Sequence, residues 1–488
     1  MEDRFSRSVM ENNFSEPLLL MHKDTPILRF NIDLNVYEPL VPELLPYSLR
    51  GGFMAASPSD EQAKRDFIRD TNREIMLRYL SHRVLSLTRS NAKKMYDAYN
   101  IAQKDDVYSK ARLAVACRAV SVEDCYWLKT EGTDIKWDDI NLRKNSLSEV
   151  VANIMLHGKS LTLTGNTSTP EFTNNGSSAM AWKREDDSLY LHKRSHPGTR
   201  ESETEVFTSR ILDCFDVPHV RYEKASAKGE PYECRCRNMC SEDLERVTAD
   251  EISIYCTRQK LNFNDFISSI DEENIAKMCV MDYLLSNSDR HSINWGFYQS
   301  SATGKLLCMH PMFDHNNAMD EALFGDACRD RKSQVYEGCT MEDLAERSIR
   351  KFPIKCIAPV MREMFPSDEA YADFMARACR LGLYRKHEKS FLEKIGLKKC
   401  EEYEPVSISI QEKDAYMDSL YKIVESEKSR EEHSAEKRAV EPQELKNDTG
   451  RYQDPATVKS TNLGSADGEA GGDSESALMG QSNDDPEL

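Results

Sequence analysis

Polar side chains in two neighbouring segments carry the groups that phosphoryl transfer requires. Asp289 and Asn294 stand five residues apart in a polar run after the apolar Met281–Leu285, and Asp314 follows a second, strand-like segment. A carboxylate can orient an acceptor hydroxyl and take its proton. Carboxamide and carboxylate oxygens are ligands that Mg2+ prefers. These types and this spacing point to Asp289 acting on an acceptor, with Asn294 and Asp314 holding magnesium.

The residues around these side chains predict the elements that position them. The apolar run breaks at Ser286–Ser288, which predicts a helix that ends just before Asp289. Trp295–Tyr298 reads as a strand, Ser301–Gly304 as a turn, and Leu306–His310 as a returning strand that leads to Asp314. A helix followed by a hairpin therefore presents the three side chains together.

The loop sequence carries a family resemblance. Asn287-Ser288-Asp289-Arg290-His291-Ser292-Ile293-Asn294 resembles the catalytic loop of the HipA-like kinases, bacterial Ser/Thr kinases with a kinase-type fold. Eukaryotic protein kinases read His-Arg-Asp instead, and Asp314 is followed by His315-Asn316 rather than Phe-Gly. The resemblance places Arg290 and His291 in the catalytic loop with Asp289. We assign His291 an orienting, structural role.

The resemblance covers roughly residues 155–400 and implies several functional properties. It implies ATP and Mg2+ as cofactors and a Ser or Thr hydroxyl of a protein as acceptor. Members of the family can act as toxins partnered by a DNA-binding antitoxin, so an antitoxin-like partner is expected. The protein substrate itself does not follow from the sequence.

The predicted phosphate contact is Lys193, the last of a row of side chains that face inward from one strand. In Leu189–Arg194 the alternation places Leu189, Leu191 and Lys193 on one face. A helix over residues 202–215 follows, and kinases use a glutamate of this helix to pair with the strand lysine. Helical geometry favours Glu203, whereas the family resemblance favours Glu205, and both remain candidates.

A segment rich in small residues precedes this hairpin. Residues 160–165 are predicted to form a strand that runs into it, and Gly176, Ser177 and Ser178 are the candidates for phosphate contact through backbone N–H groups. The segment spells neither the kinase Gly-x-Gly-x-x-Gly pattern nor a Walker A motif. It is the weakest match to the family.

Composition limits the classes of function. The 488 residues carry a net charge of −18, which argues against broad attraction to nucleic acid or anionic membranes. The chain shows no signal peptide and no membrane span, and its fourteen Cys follow no extracellular framework, so we expect a cytoplasmic protein with reduced thiols. Cys234, Cys236 and Cys240 lack paired zinc-knuckle spacing, and packing is favoured over zinc there.

The patterns predict an α+β, bilobed, protein-kinase-like fold, with a small β-rich lobe, a large helical lobe, a mainly helical N-terminal region and a disordered acidic tail. Beyond about Ser426 the chain has too few large apolar residues to offset the entropy of ordering. The predicted sections are a strand and Pro-rich arm (1–58), a helical accessory region (59–151), a nucleotide-binding small lobe (152–240), a helical catalytic large lobe (241–425) and the disordered tail (426–488).

Two other functions remain open beside a HipA-like kinase. A nucleotide-binding pseudokinase or interaction scaffold would bind nucleotide without transferring phosphate. A small-molecule phosphotransferase would share the Asp-x4-Asn spacing and line its acceptor pocket with carboxylates. The sequence does not separate them.

Overall fold

The computed structural model describes residues 14, 16–163, 169–173, 176–226, 231–328, 330–386 and 403–406. All of them lie within the unit Met1–Glu432. The predicted tail (426–488) and the small residues 164–168 and 174–175 lie outside the described residues.

The N-terminal region contains a four-stranded antiparallel sheet. The sequence predicted a strand in the arm (1–58) but not the strand that comes from residues 59–151. The strand of the predicted arm (1–58) ends at Asn31, because the Asn31 side chain accepts the Leu34 N–H at 2.8 Å and starts a turn. A strand at residues 126–130 comes from the section predicted to be helical, so both N-terminal sections share one sheet. The strands, in the sheet order β3-β2-β1-β4, are β1 (Leu18–His22), β2 (Thr25–Asn31), β3 (Val36–Pro39) and β4 (Tyr126–Thr130).

Five helices complete this region among the described residues. Side-chain caps begin two of them, where Asp106 accepts the Ser109 N–H and Ser148 accepts the Val151 N–H. A core containing Phe30, Tyr96 and Phe172 fills the space beneath the sheet. The helices are α1 (Gln62–His82), α2 (Ala92–Ala98), α3 (Val107–Ala116), α4 (Trp137–Ile140) and α5 (Glu149–His157).

The small lobe is a second four-stranded antiparallel sheet with a helix beside it. Its first hairpin turns at Asp186 and Asp187, both with positive φ, as a tight two-residue turn requires. The Cys234 and Cys236 side chains pack with Val206 and Tyr222, in agreement with the predicted packing. The elements are β5 (Ala179–Glu185), β6 (Ser188–Arg194), α6 (Glu201–Leu212), β7 (Tyr222–Lys224) and β8 (Glu233–Arg237), with strand order β5-β6-β8-β7.

The strand predicted at residues 160–165 is absent from the part that the structure describes. Residues 160–163 adopt no regular structure, and residues 164 and 165 lie outside the described range. The Leu163 N–H donates to the Ala98 carbonyl at the end of α2. The prediction was wrong for residues 160–163, because this backbone binds a helix end rather than the small-lobe sheet.

The large lobe is mostly helical, as predicted, but its hairpin has a third strand. Leu244–Thr248 pairs along its whole length with the first hairpin strand, where a β-carbon at Gly296 would collide with the Val247 carbonyl. The core of this lobe includes Met281, Tyr283 and Trp295. The elements are β9 (Leu244–Thr248), α7 (Ala249–Gln259), α8 (Phe263–Leu284), β10 (Gly296–Ser300), β11 (Leu306–Met309), α9 (Met341–Lys351), α10 (Asp368–Arg380), β12 (Tyr384–Lys386) and β13 (Tyr403–Pro405).

Helix α8, which leads to the loop bearing Asp289, is broken at Asp271. This residue has non-helical dihedral angles (φ −158°, ψ 74°). Its carboxylate accepts the Asn274 N–H at 3.1 Å, as a helix cap does, and the Met309 N–H of β11 at 3.0 Å. One side chain therefore starts the second half of α8 and holds the strand that leads to Asp314.

Within the described residues, no helix is both long enough and apolar enough to span a membrane.

Candidate active site

The loop after α8 is closed by its own side chains. Ser286, with φ +52°, turns the chain out of the helix. The Asp289 N–H donates to Asn287 Oδ1 at 3.3 Å, and Asn294 Nδ2 donates to the Asp289 carbonyl at 3.0 Å. Asn294 is buried, whereas the Asp289 side chain is 35% exposed. The loop thus holds Asn294 in place and leaves the Asp289 carboxylate accessible.

Arg290 is buried beneath this loop. Its guanidinium makes two hydrogen bonds to the Asp282 carboxylate, at 2.9 and 3.0 Å. The same group donates to the Asn294 carbonyl at 2.8 Å and to the Phe313 carbonyl at 2.7 Å. Because Phe313 precedes Asp314, Arg290 joins the loop to the segment carrying the second carboxylate. Its contacts are those of a positioning residue.

Lys193 lies at the centre of the site, between two carboxylates. Its Nζ is 2.7 Å from Glu205 Oε1 and 2.7 Å from Asp314 Oδ1, and both Lys193 and Glu205 are buried. Glu203, the other candidate on α6, instead binds the exposed Arg200 at 2.6 Å. The structure therefore brings Glu205, and not Glu203, together with Lys193.

Burial and the neighbouring charges shift the pKa values of Lys193, Glu205 and Asp314, and the two carboxylates shift in opposite directions. Burial alone lowers the pKa of Lys193, but Asp314 and Glu205 more than compensate and raise it well above its ordinary value. Burial alone raises the pKa of Asp314, but the Lys193 ammonium and Arg290 bring it below the ordinary value. Burial raises the pKa of Glu205. The firmly ionised carboxylate of the site is therefore Asp314.

The backbone around Asp314 is held in an uncommon conformation. Asp314 has φ +57°, in the left-handed region. The His315 N–H donates to Glu205 Oε2 at 2.9 Å, so both oxygens of Glu205 are engaged in the site. His315 is buried, and burial lowers its pKa well below the ordinary value, which keeps the imidazole neutral beside Lys193.

His291 does not make the orienting hydrogen bond expected for it. Its Nε2 is 3.9 Å from Asp289 Oδ1, beyond hydrogen-bond distance, and the side chain is 46% exposed. Asn317 makes this contact instead, because its Nδ2 donates to Asp289 Oδ2 at 2.9 Å. Asn317 was not among the residues predicted from the sequence, although it belongs to the polar run that begins at Asp314.

The segment of small residues leads directly into the small-lobe sheet. Gly176 has φ +118°, which favours glycine, and Ser178 is buried. The Ser90 N–H donates to the Ser177 carbonyl at 2.9 Å. Strand β5 follows directly, and its Met180 pairs with Lys193 of β6. Gly176–Ser178 therefore lies near the end of β6 that carries Lys193. A phosphate contact at these residues remains a prediction.

The donor atoms of the site suit a magnesium ion. Asn294 uses its amide nitrogen on the Asp289 carbonyl, which leaves Oδ1 as the atom that can bind a metal. Asp314 offers an ionised carboxylate. Oxygen donors from two side chains are sufficient, because Mg2+ keeps several waters.

Comparison with solved structures finds kinase and HipA chains. The first is the Helicobacter pylori proinflammatory kinase CtkA. It has 14% identity and a TM-score of 0.32, and the match covers 43% of this chain and 91% of that chain. The second is HipA, from a Shewanella oneidensis toxin–antitoxin complex with HipB and operator DNA. It has 10% identity and a TM-score of 0.42, covering 75% of this chain and 95% of that chain. The chain is similar to HipA. No protein-family model matches, and comparison with curated proteins returns no match.

At such low identity the roles of individual residues depend on the geometry described above. The predicted order of lobes is present, with a β-rich small lobe followed by a largely helical one.

Proposed function

We propose that the chain is a HipA-like kinase that transfers the γ-phosphate of ATP, with Mg2+, to a Ser or Thr hydroxyl of a protein. One observation carries this proposal. Lys193 contacts both Glu205 and Asp314 at 2.7 Å, while Arg290 ties the segment before Asp314 to the loop bearing Asp289. Phosphoryl transfer depends on this kind of positioning and charge placement.

Each side chain has a role that follows from its contacts. Lys193 holds phosphate oxygens and Glu205 orients Lys193. Asn294 and Asp314 hold Mg2+, which supplies neutralisation of the phosphate charge. Asp289 accepts the proton of the acceptor hydroxyl, since its carboxylate is accessible and is oriented by Asn317. Gly176–Ser178 approach the phosphates through their backbone N–H groups.

Lys193 and Asp314 pair with each other, and each can exchange this partner for a ligand of the reaction. Each neutralises the other at 2.7 Å in a largely buried position. A phosphate oxygen is an alternative partner for Lys193, and a magnesium ion is one for Asp314. Both residues can therefore exchange partners without leaving an unpaired buried charge, which would be costly.

We propose a cytoplasmic location and an antitoxin-like protein partner, on the basis of the family resemblance. Direct nucleic-acid binding is not proposed, because the net charge of −18 opposes it.

The test measures phosphate transfer by the purified full chain with labelled ATP and Mg2+. We expect label on the chain itself or on added lysate proteins, and at least a hundredfold loss in Asp289→Asn. Asp187→Asn is the matched control, because this residue lies in an exposed turn with positive φ that Asn also adopts.

Three results would count against the proposal. Magnesium-dependent ATP binding without transfer would identify a pseudokinase. Transfer that persists in Asp289→Asn would show that another group acts on the acceptor. Labelling of small molecules but not of proteins would favour a small-molecule phosphotransferase.

A further inference from the structure

A cluster of possible metal ligands lies outside the candidate active site. His22 ends β1, Cys125 directly precedes β4, and Glu245 lies in β9. One ligand atom from each, an imidazole nitrogen, a thiol sulfur and a carboxylate oxygen, lies within 4.8 Å of the others, and all three residues are buried. Three distant segments thus converge where the N-terminal sheet meets the sheet of the large lobe.

We propose that His22, Cys125 and Glu245 bind a zinc ion. Imidazole nitrogen, thiolate sulfur and carboxylate oxygen are the ligand types that zinc takes in proteins. A thiolate disfavours Mg2+ and Ca2+, which prefer oxygen ligands. The mixed sulfur, nitrogen and oxygen set therefore selects zinc among the common divalent ions.

The cluster needs only small side-chain movements to hold the ion. His22 Nε2 and Glu245 Oε1 are 2.7 Å apart. In a tetrahedral zinc site, ligand atoms about 2.0–2.3 Å from the metal lie roughly 3.2–3.7 Å from one another. The His22–Glu245 pair must therefore open by about half an ångström, and Cys125 Sγ must move inward by about an ångström at most.

A nearby guanidinium supplies a second, independent observation. Arg143 Nη1 donates to Cys125 Sγ at 3.4 Å, and Nη2 donates to the Val122 carbonyl at 2.9 Å. Its Nε is buried and has no hydrogen-bond partner among the described residues. A cation placed against sulfur is better matched by a thiolate than by a neutral thiol, and the thiolate is the form that binds zinc.

The surroundings of Glu245 resemble the outer support of a metal ligand. Gln299 Nε2 donates to Glu245 Oε2 at 2.8 Å, which fixes the carboxylate while Oε1 faces His22. Gln299 Oε1 is buried and also lacks a hydrogen-bond partner within the described part of the chain. With the amide held by its bond to Glu245, the fourth zinc position is left to a water molecule.

Binding must displace the thiol proton. Zinc affinity should therefore increase with pH. Because the site is buried, the ion would join the N-terminal sheet to β9 and would not meet a substrate. This proposal does not depend on kinase activity.

The experiment uses the full chain, purified with reductant from zinc-supplemented culture, and measures bound metal by mass spectrometry. We expect close to one zinc per chain. Cys125→Ser and His22→Gln should each retain at least tenfold less. Cys256→Ser is the matched control, because Cys256 is an equally buried thiol in the large-lobe core. It should retain the wild-type amount.

Two further measurements do not require a variant to fold well. A strong zinc chelator should lower the thermal unfolding midpoint of the wild-type chain, and added zinc should restore it. Cobalt exchanged for zinc should give a sulfur-to-cobalt charge-transfer band that is absent from Cys125→Ser. Failure of the reduced wild-type chain to take up zinc, or full retention of zinc by Cys125→Ser, would overturn the proposal.

Discussion

Replacing Glu205 by Gln tests the central contact of the candidate site. The change removes the charge that lies 2.7 Å from Lys193 Nζ and conserves the size of the side chain. The Gln oxygen can still accept the His315 N–H that Glu205 Oε2 now accepts at 2.9 Å. Glu203→Gln is the matched control, because Glu203 lies on the same helix and binds the exposed Arg200.

The magnitude follows from burial. Removing one partner of a buried ion pair costs about 3–5 kcal/mol when the other charge is left unpaired. Lys193 keeps Asp314 at 2.7 Å, so we expect about half of this cost, or ~2 kcal/mol. If that loss falls on nucleotide positioning, kcat/KM for ATP decreases about 30-fold. Glu203→Gln removes a surface pair worth about 0.5 kcal/mol, which is roughly a twofold effect.

The assay compares initial rates of phosphate transfer over a range of ATP concentrations, together with urea unfolding of both variants. We expect Glu205→Gln to be at least tenfold less active than Glu203→Gln. It should also be less stable by about 1–2 kcal/mol. Equal activity and stability of the two variants would refute the assignment of Glu205 as the residue that orients Lys193.

Two further predictions concern the support of the site. Arg290→Lys cannot reproduce the paired hydrogen bonds to Asp282 and the bonds to two carbonyls. Urea unfolding should therefore show that the free energy of unfolding falls by about 3 kcal/mol. A decrease below about 1 kcal/mol would contradict this role. Burial lowers the pKa of His310 to about 3 and that of His315 well below its ordinary value. The unfolded chain protonates these imidazoles near pH 6.5 and the folded chain does not, so the free energy of unfolding should fall between pH 7 and pH 5, by about 2 kcal/mol for His310. Urea unfolding across this range should show a shallower decrease in His310→Gln, and an unchanged slope would refute the argument.

The elements nearest the site were predictable from local patterns. Alternation identified β6 and its inward Lys193, and an apolar stripe identified α6. The abrupt change from apolar to polar residues located the end of α8 and the loop with Asp289. These signals are local, because each depends on residues within a few positions along the chain.

The third strand of the large-lobe sheet was not predictable in the same way. Strand β9 reads Leu-Glu-Arg-Val-Thr, and its Glu245 is fully buried. A buried glutamate is acceptable only with partners, and one of these, His22, lies 223 positions earlier in the sequence. No local pattern contains such a contact.

The same limit applied to the choice between the two glutamates of α6. Helical geometry favoured Glu203, whereas the contact with the His315 N–H, 110 positions later, is made by Glu205. Asn317 was missed for a related reason. Its contact with Asp289 spans 28 positions and depends on how the chain turns after Asp314.

The break at Asp271 has a consequence for the evolution of the chain. The second half of α8 takes its starting point from Asp271, whose carboxylate also holds the Met309 N–H. Asp271 therefore fixes two things at once. It sets the start of the half-helix that leads to Asp289, and it holds the strand that leads to Asp314. Substitution of Asp271 would therefore disturb both segments of the site at once, which constrains this position more than its distance along the chain from Asp289 suggests.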